Sequence, residues 1–252
     1  MDDIYEADRS LKGKLRRRIA RIRARRAAKA PAGPMISFAF DDVPVSAATL
    51  GAEILESRGL KGSYYVAAGM AGVDSPMGRF IDELDVKRLA EAGHEIGCHT
   101  YSHLSCYQAR DGQASKECLR NQQELSSVLA SYHMRNFAFP YGHATLQTKR
   151  ELSEQYESCR TTRIGINQGL VDLAYLRANG LYSKYPLDEV RKLIWRNLEH
   201  PGWLIFYTHD IDPAPSEFGC TPDYFHAVLM EAISSSAKIV TVAEALQDFQ
   251  RR

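Results

Sequence analysis

No run of the sequence approaches the ~20 consecutive apolar residues that a membrane-crossing helix needs, so none is expected. No apolar segment follows the N-terminus, which runs acidic and then basic, so no secretory leader is expected and a cytoplasmic location is. The five cysteines (Cys98, Cys106, Cys118, Cys159 and Cys220) are odd in number and contain no CxxC pair. That argues against a disulfide framework and for a reducing compartment. No internal repeat or low-complexity tract is present. The first thirty residues contain a single aromatic, Tyr5, so stacking on bases is poorly supported and no nucleic-acid partner is expected.

What is there is an ordinary enzyme composition. The 252 residues are 44% hydrophobic and 25% charged, enough for one large domain with a sizeable core. The net charge of +1 hides an asymmetry. Residues 1–30 hold eleven Lys or Arg against four Asp or Glu, a net of +7, so the remainder carries −6. Leu11, Leu15, Ile19 and Ile22 form a narrow apolar stripe among these arginines, which predicts a helix over 8–30. Pro31-Ala-Gly-Pro34 ends it. We therefore divide the chain into a basic amphipathic arm, 1–33, and a larger domain, 34–252. The arm suits an anionic membrane surface, which would place the protein peripherally at the inner membrane, or a second copy of the chain in a homodimer.

Beyond the arm, apolar or β-branched runs at 35–40, 63–67, 94–98, 136–139, 158–162, 203–208 and 238–242, with a weaker one at 170–176, alternate with helical patterns. The helical patterns cover 46–57, 86–92, 115–130, 146–155, 187–199 and 223–235. Strands alternating with helices predict an α/β fold with a mostly parallel sheet, and seven or eight such units fit a (β/α) barrel.

Four polar clusters stand directly after predicted strands. Phe38-Ala-Phe40 runs into Asp41-Asp42, and Ile96-Gly-Cys98 into His99-Thr-Tyr-Ser-His103. Phe137-Ala-Phe139 runs into Pro140-Tyr-Gly142, and Leu204-Ile-Phe-Tyr-Thr208 into His209-Asp210. In a parallel barrel all four lie on one face, at the C-terminal strand ends. His99 and His103 are four apart; on a helical turn their Cβ atoms would be about 5–6 Å apart. Two imidazoles and a carboxylate make a metal site with open positions, for which Zn²⁺ is the first choice. Adjacent carboxylates in one cleft usually divide labour between cation and proton.

The ordered set of motifs resembles the NodB-homology polysaccharide deacetylases, carbohydrate esterase family four. Phe-Ala-Phe-Asp41-Asp42 is similar to its T/S-F-D-D motif, His99-Thr-Tyr-Ser-His103 to its H-[ST]-x-x-H, Phe139-Pro-Tyr-Gly142 to its third motif and Tyr207-Thr-His209 to its L-x-H. The resemblance covers about residues 35–245. It implies a distorted (β/α) barrel of the NodB-homology type and hydrolysis of acetyl groups on a sugar. Carried over residue by residue, it implies Asp42, His99 and His103 as ligands of one divalent metal. It makes Asp41 the general base, His209 the general acid and the Tyr141 backbone N–H an oxyanion donor. The family's usual arginine two residues before the proline is replaced here by Ala138, and Arg177 is the expected substitute for tethering the catalytic Asp. The leucine of L-x-H is Tyr207, so Ile205 or Trp203 is expected to supply the apolar wall. Asp172 or Asp210 would orient His209. Within the family the chain looks most like exopolysaccharide and holdfast-type deacetylases acting on N-acetylglucosamine polymers, free or lipid-linked. The alternatives are a deformylase or deacetylase of a small lipid-linked sugar and an inactive glycan-binding domain.

Overall fold

The computed structural model describes Asp8 and residues 10–251; Tyr5 lies outside them. Seven parallel strands form the core: β1 (Met35–Asp41), β2 (Ser63–Val66), β3 (Glu95–Cys98), β4 (Asn136–Ala138), β5 (Ser158–Arg160), β6 (Asn179–Gly180) and β7 (Trp203–Thr208). They follow the order β6-β7-β1-β2-β3-β4-β5, and a short β8 (Lys238–Ile239) pairs with the start of β1. A bridge between Arg160 and Leu176 brings the chain before β6 against β5. The result is a sheet curled into a distorted (β/α) barrel, as the alternating pattern predicts.

Every residue of β1 and β7 is buried, which is why both read as nearly continuous apolar runs. Side chains alternate between two faces. Ile36, Phe38, Phe40, Leu204 and Phe206 face the outer helices. Among these helices, Pro222–Ser234 sets Phe225 edge-on to Phe38 at 5.5 Å. The opposite face fills the barrel in layers. Low in the barrel, Glu95 accepts from Ser63 Oγ at 2.7 Å and Asn136 Nδ2 at 2.6 Å, and Asn136 Oδ1 accepts from Ser158 Oγ. The layer above holds Tyr65, Gly97, Ala138 and Arg160. A Cβ on Gly97 would come within 2.6 Å of the Tyr65 ring, so the glycine is what lets that ring cross the barrel. Asp41 joins this layer as the register partner of Tyr65, and the remaining chemical groups stand at the strand ends just above it.

The N-terminal segment differs from the continuous helix expected over 8–30. Its helix α1 is Leu11–Ile22. Ala27–Lys29 is instead a strand between Leu170–Asp172 and Gln250–Arg251, antiparallel to both. Alanine-rich sequence favours helix only weakly, and tertiary pairing overrides it. The same small sheet takes 170–172 out of the barrel, whose place is filled by β6.

Lys149, fully buried on the helix Leu146–Gln155, holds α1 down. Its ammonium donates to the Ala20 carbonyl at 2.9 Å, the Arg23 carbonyl at 2.8 Å and Asp172 Oδ2 at 2.6 Å. It thereby neutralises the negative end of the helix. α1 turns Gly13 and Ala20 inward, leaving Leu11, Leu15 and Ile22 exposed. Lys149→Met leaves those acceptors buried and unpaired. It should lower stability by about 3 kcal/mol and open the arginines of α1 to trypsin. Urea denaturation and timed proteolysis check both; an unchanged midpoint with intact α1 would show that Lys149 is not the anchor.

Candidate active site

The site forms where β1, β3, β4 and β7 end. Asp42 and Val43 turn the chain away from β1 with φ of 57° and 52°; Thr100, His103 and Tyr141 also have φ near +60°. Such backbone is costly for non-glycine residues and concentrates at functional sites. The segment carrying the two histidines is not the helical turn that the four-residue spacing suggests. It is an irregular loop in which Thr100 Oγ1 accepts from Leu104 N–H at 2.8 Å. Glu117 Oε2 takes both Ser102 N–H and Ser102 Oγ, at 2.8 and 2.7 Å. The loop nevertheless brings the His99 and His103 rings to 5.0 Å.

Asp42 Oδ1 lies 3.5 Å from His99 Nε2 and 3.3 Å from His103 Nε2, and the three ligand atoms are all within 4.8 Å of one another. His99 Nδ1 is 2.8 Å from the Ala138 carbonyl. A carbonyl only accepts, so in the neutral ring Nδ1 carries the hydrogen and Nε2 presents its lone pair. Burial is the main cause that holds the His99 pKa down to about 4, against the pull of Asp42 and Asp41. At neutral pH the ring is therefore uncharged. A lone pair then faces a buried carboxylate oxygen that has no hydrogen-bond partner among the described residues. Two acceptors pointed at one spot are satisfied by a cation, and the donor set fits a divalent metal. The Tyr141 ring packs edge-on against His103 at 4.5 Å and fixes its plane.

Asp41, also buried, is the last interior-facing residue of β1. Its partner is Arg160, not Arg177. Ala138 and Arg160 are register partners on β4 and β5, so their side chains enter the barrel side by side. The guanidinium missing at 138 is supplied from one strand further on. It lies between the Tyr65 and Tyr207 rings, 4.9 and 5.0 Å from their centres. Burial alone would raise the Asp41 carboxyl. The Arg160 charge, with His99 and His209 adding to it, outweighs burial and holds the group below the usual carboxylate value. Arg177 follows Leu176, which faces the barrel interior, and so points outward. Its Nη1 donates to the Ile164 carbonyl at 3.1 Å.

His209 completes the ring of groups, with Nε2 3.9 Å from Asp42 Oδ2. Its orienting partner is the Phe218 carbonyl, 3.1 Å from Nδ1, rather than a carboxylate. Asp210 binds Ser216 through Oγ at 2.6 Å and N–H at 2.7 Å, and Asp172 is engaged with Lys149. The interior positions of β7 stack in layers about 6–7 Å apart. Trp203, bonded to Ser37 Oγ at 2.9 Å, and Ile205 therefore lie below the site. Tyr207 stands at its floor.

Residues 28–157 match the family described as polysaccharide deacetylase. No curated protein matches the chain. As a fold it is similar to the peptidoglycan N-acetylglucosamine deacetylase Bc1960, with a TM-score of 0.62 over 87% of this chain and 91% of that one at 17% identity. It is also similar to a family 4 acetyl xylan esterase from Clostridium thermocellum in complex with a cobalt ion, with a TM-score of 0.59 over 84% and 90% of the chains at 18% identity. A third similar structure is a family 4 pseudoenzyme from Bacillus anthracis, with a TM-score of 0.60 over 88% and 68% at 13% identity. Identities this low speak for the fold alone.

Proposed function

The chain belongs to the polysaccharide deacetylase family, and from that premise we propose that it hydrolyses N-acetyl groups on N-acetylglucosamine-type residues of a bacterial polysaccharide. The observation that carries this reading is the convergence of the His99 and His103 Nε2 atoms on the unpartnered Asp42 oxygen, with Asp41 and His209 beside them. Asp42, His99 and His103 would hold a divalent cation, Zn²⁺ by choice of ligands, and such an ion would supply a lowered pKa for water and a polarised acyl oxygen.

The chain's own residues do the rest. Asp41, kept ionised by Arg160, accepts a proton from the attacking water as its oxygen bonds to the acetyl carbon. The Tyr141 N–H is assigned to the developing oxyanion. His209, with Nδ1 held by the Phe218 carbonyl, presents Nε2 to the departing nitrogen. As the C–N bond breaks it delivers the proton that turns the leaving group into an amine, and acetate is the other product. The exposed rings of Tyr141 and Phe218 border the opening and suit the apolar face of a sugar. The exopolysaccharide or holdfast subclass is a finer assignment, and it rests on general similarity of the sequence to that part of the family.

The test is acetate release from N-acetylglucosamine oligomers. Intact protein should release acetate, chelator should stop it, and added divalent metal should restore it. Formate release from an N-formyl sugar with no acetate from the oligomers would move the protein to the deformylase reading. Saturable oligomer binding without any release would make it an inactive glycan-binding domain.

A further inference from the structure

Away from the proposed metal ligands, a cavity of about 640 Å³ lies between α1, the chain linking β5 to β6, and the helix Leu187–Glu199. Its lining holds six arginines: Arg18, Arg21, Arg25, Arg163, Arg177 and Arg196. They come from three separate stretches of sequence, so the fold rather than one basic run brings them together. Among the described residues, the single carboxylate in the lining is Asp172. It is already bound by Lys149 at 2.6 Å and by the Arg26 N–H at 2.9 Å. Among the described residues none of the six arginines forms an ion pair.

Two of these guanidiniums are fixed in place. Arg25 Nη2 donates to the Leu170 carbonyl at 3.1 Å, and Arg177 Nη1 to the Ile164 carbonyl at 3.1 Å. Gly165 makes room for the second: its φ is +124°, and a Cβ there would stand 3.0 Å from Arg177 Nη1. The crowding is felt at Arg163, whose pKa is lowered by burial first and then by the charges of Arg177 and Arg21. Like charges gathered without counter-charge oppose folding, and a bound anion would relieve that repulsion.

We propose that this cavity is a binding site for a phosphate or diphosphate group, presented free or as the headgroup of an anionic lipid. Planar guanidiniums form paired hydrogen bonds with phosphate oxygens, and several converging positive charges favour an anion of more than one charge. Ile22 lines the cavity and, like Leu11 and Leu15 on the same helix, is exposed. An apolar strip therefore borders the anion site, as a lipid-borne phosphate would require. The inference stands apart from the deacetylase reading, since no proposed metal ligand, acid or base lines the cavity.

Inorganic pyrophosphate titrated into the full-length protein at low salt tests it. Arg21 and Arg196 are exposed, so the Arg21→Ala, Arg196→Ala double variant should fold normally, which its thermal midpoint checks. Its dissociation constant should rise by at least about tenfold, the effect of losing charge-assisted hydrogen bonds. Its acetate release from soluble oligomers should stay unchanged. The His99→Ala, His103→Ala variant should bind pyrophosphate as the intact protein does, separating this site from the metal centre. Sedimentation with phosphatidylglycerol vesicles, competed by pyrophosphate and lost in the arginine variant, would identify a lipid source; pyrophosphate binding without vesicle binding would identify a soluble one. The proposal is overturned if the intact protein does not bind pyrophosphate, if the arginine variant binds it equally well, or if binding disappears with the histidine pair.

Discussion

Asp41→Asn is expected to keep the divalent metal proposed for Asp42, His99 and His103 and to lose roughly a thousandfold in turnover, within the range attributed to general-base catalysis. The amide has nearly the carboxylate's shape but cannot accept the water's proton. Asp41 contributes no ligand atom to the Asp42, His99, His103 cluster, so metal content should stay at the intact value. Asp42→Asn should weaken metal binding as well, because the unpartnered oxygen it alters is the one both Nε2 atoms face. Metal analysis alongside acetate release separates the two. Wild-type turnover in Asp41→Asn at saturating metal would remove the proton-acceptor role. Loss of metal in Asp41→Asn but not in Asp42→Asn would exchange the two acids.

The second large effect belongs to Arg160. Arg160→Ala leaves the buried Asp41 carboxylate without its ion-pair partner and empties the space between the Tyr65 and Tyr207 rings. Breaking one half of a buried pair costs about 3–5 kcal/mol, readable by urea denaturation. The pH dependence should change with it. In the intact protein the folded Asp41 value is depressed. Its pairing therefore stabilises the fold above the unfolded value of about 3.9, and that contribution disappears as pH falls through the lower folded value. Without Arg160 the largest remaining influence is burial, which raises the carboxyl. The acidic limb of kcat/KM should then move to higher pH. Arg177→Ala should leave both the limb and turnover near the intact values, since that side chain faces away from the barrel. A normal limb in Arg160→Ala would show that the guanidinium does not set the base.

The difference between these two arginines marks where the sequence is legible and where it is not. The strand-end clusters could be read directly. An apolar run that stops at Asp41-Asp42, His99 or His209 announces both the strand and the face on which it ends, because both sides of such strands are buried. Arg160 carries no such local signal. Its role follows from its pairing opposite Ala138, and a register between strands twenty residues apart is set by the whole sheet. Gly97 and Ala138 hint at it only in retrospect, as small residues that leave room for a large interior side chain. Arg177 misleads because adjacency to a predicted strand end does not reveal which face a residue takes. His209 shows another limit: its partner is a backbone carbonyl, which every residue possesses and none advertises. The Ala27–Lys29 strand was hidden for a third reason, as helix-favouring residues were recruited by neighbours more than a hundred positions away.

The metal centre is the claim on which the catalytic account depends, and the His99→Ala, His103→Ala variant tests it most directly. Metal content and acetate release from N-acetylglucosamine oligomers should be measured on the same preparation, beside intact protein. Intact protein should hold about one divalent ion per chain and release acetate, and the variant should do neither, with its fold retained by circular dichroism. A variant that still holds a stoichiometric ion, or that releases acetate at the intact rate without one, would contradict that claim.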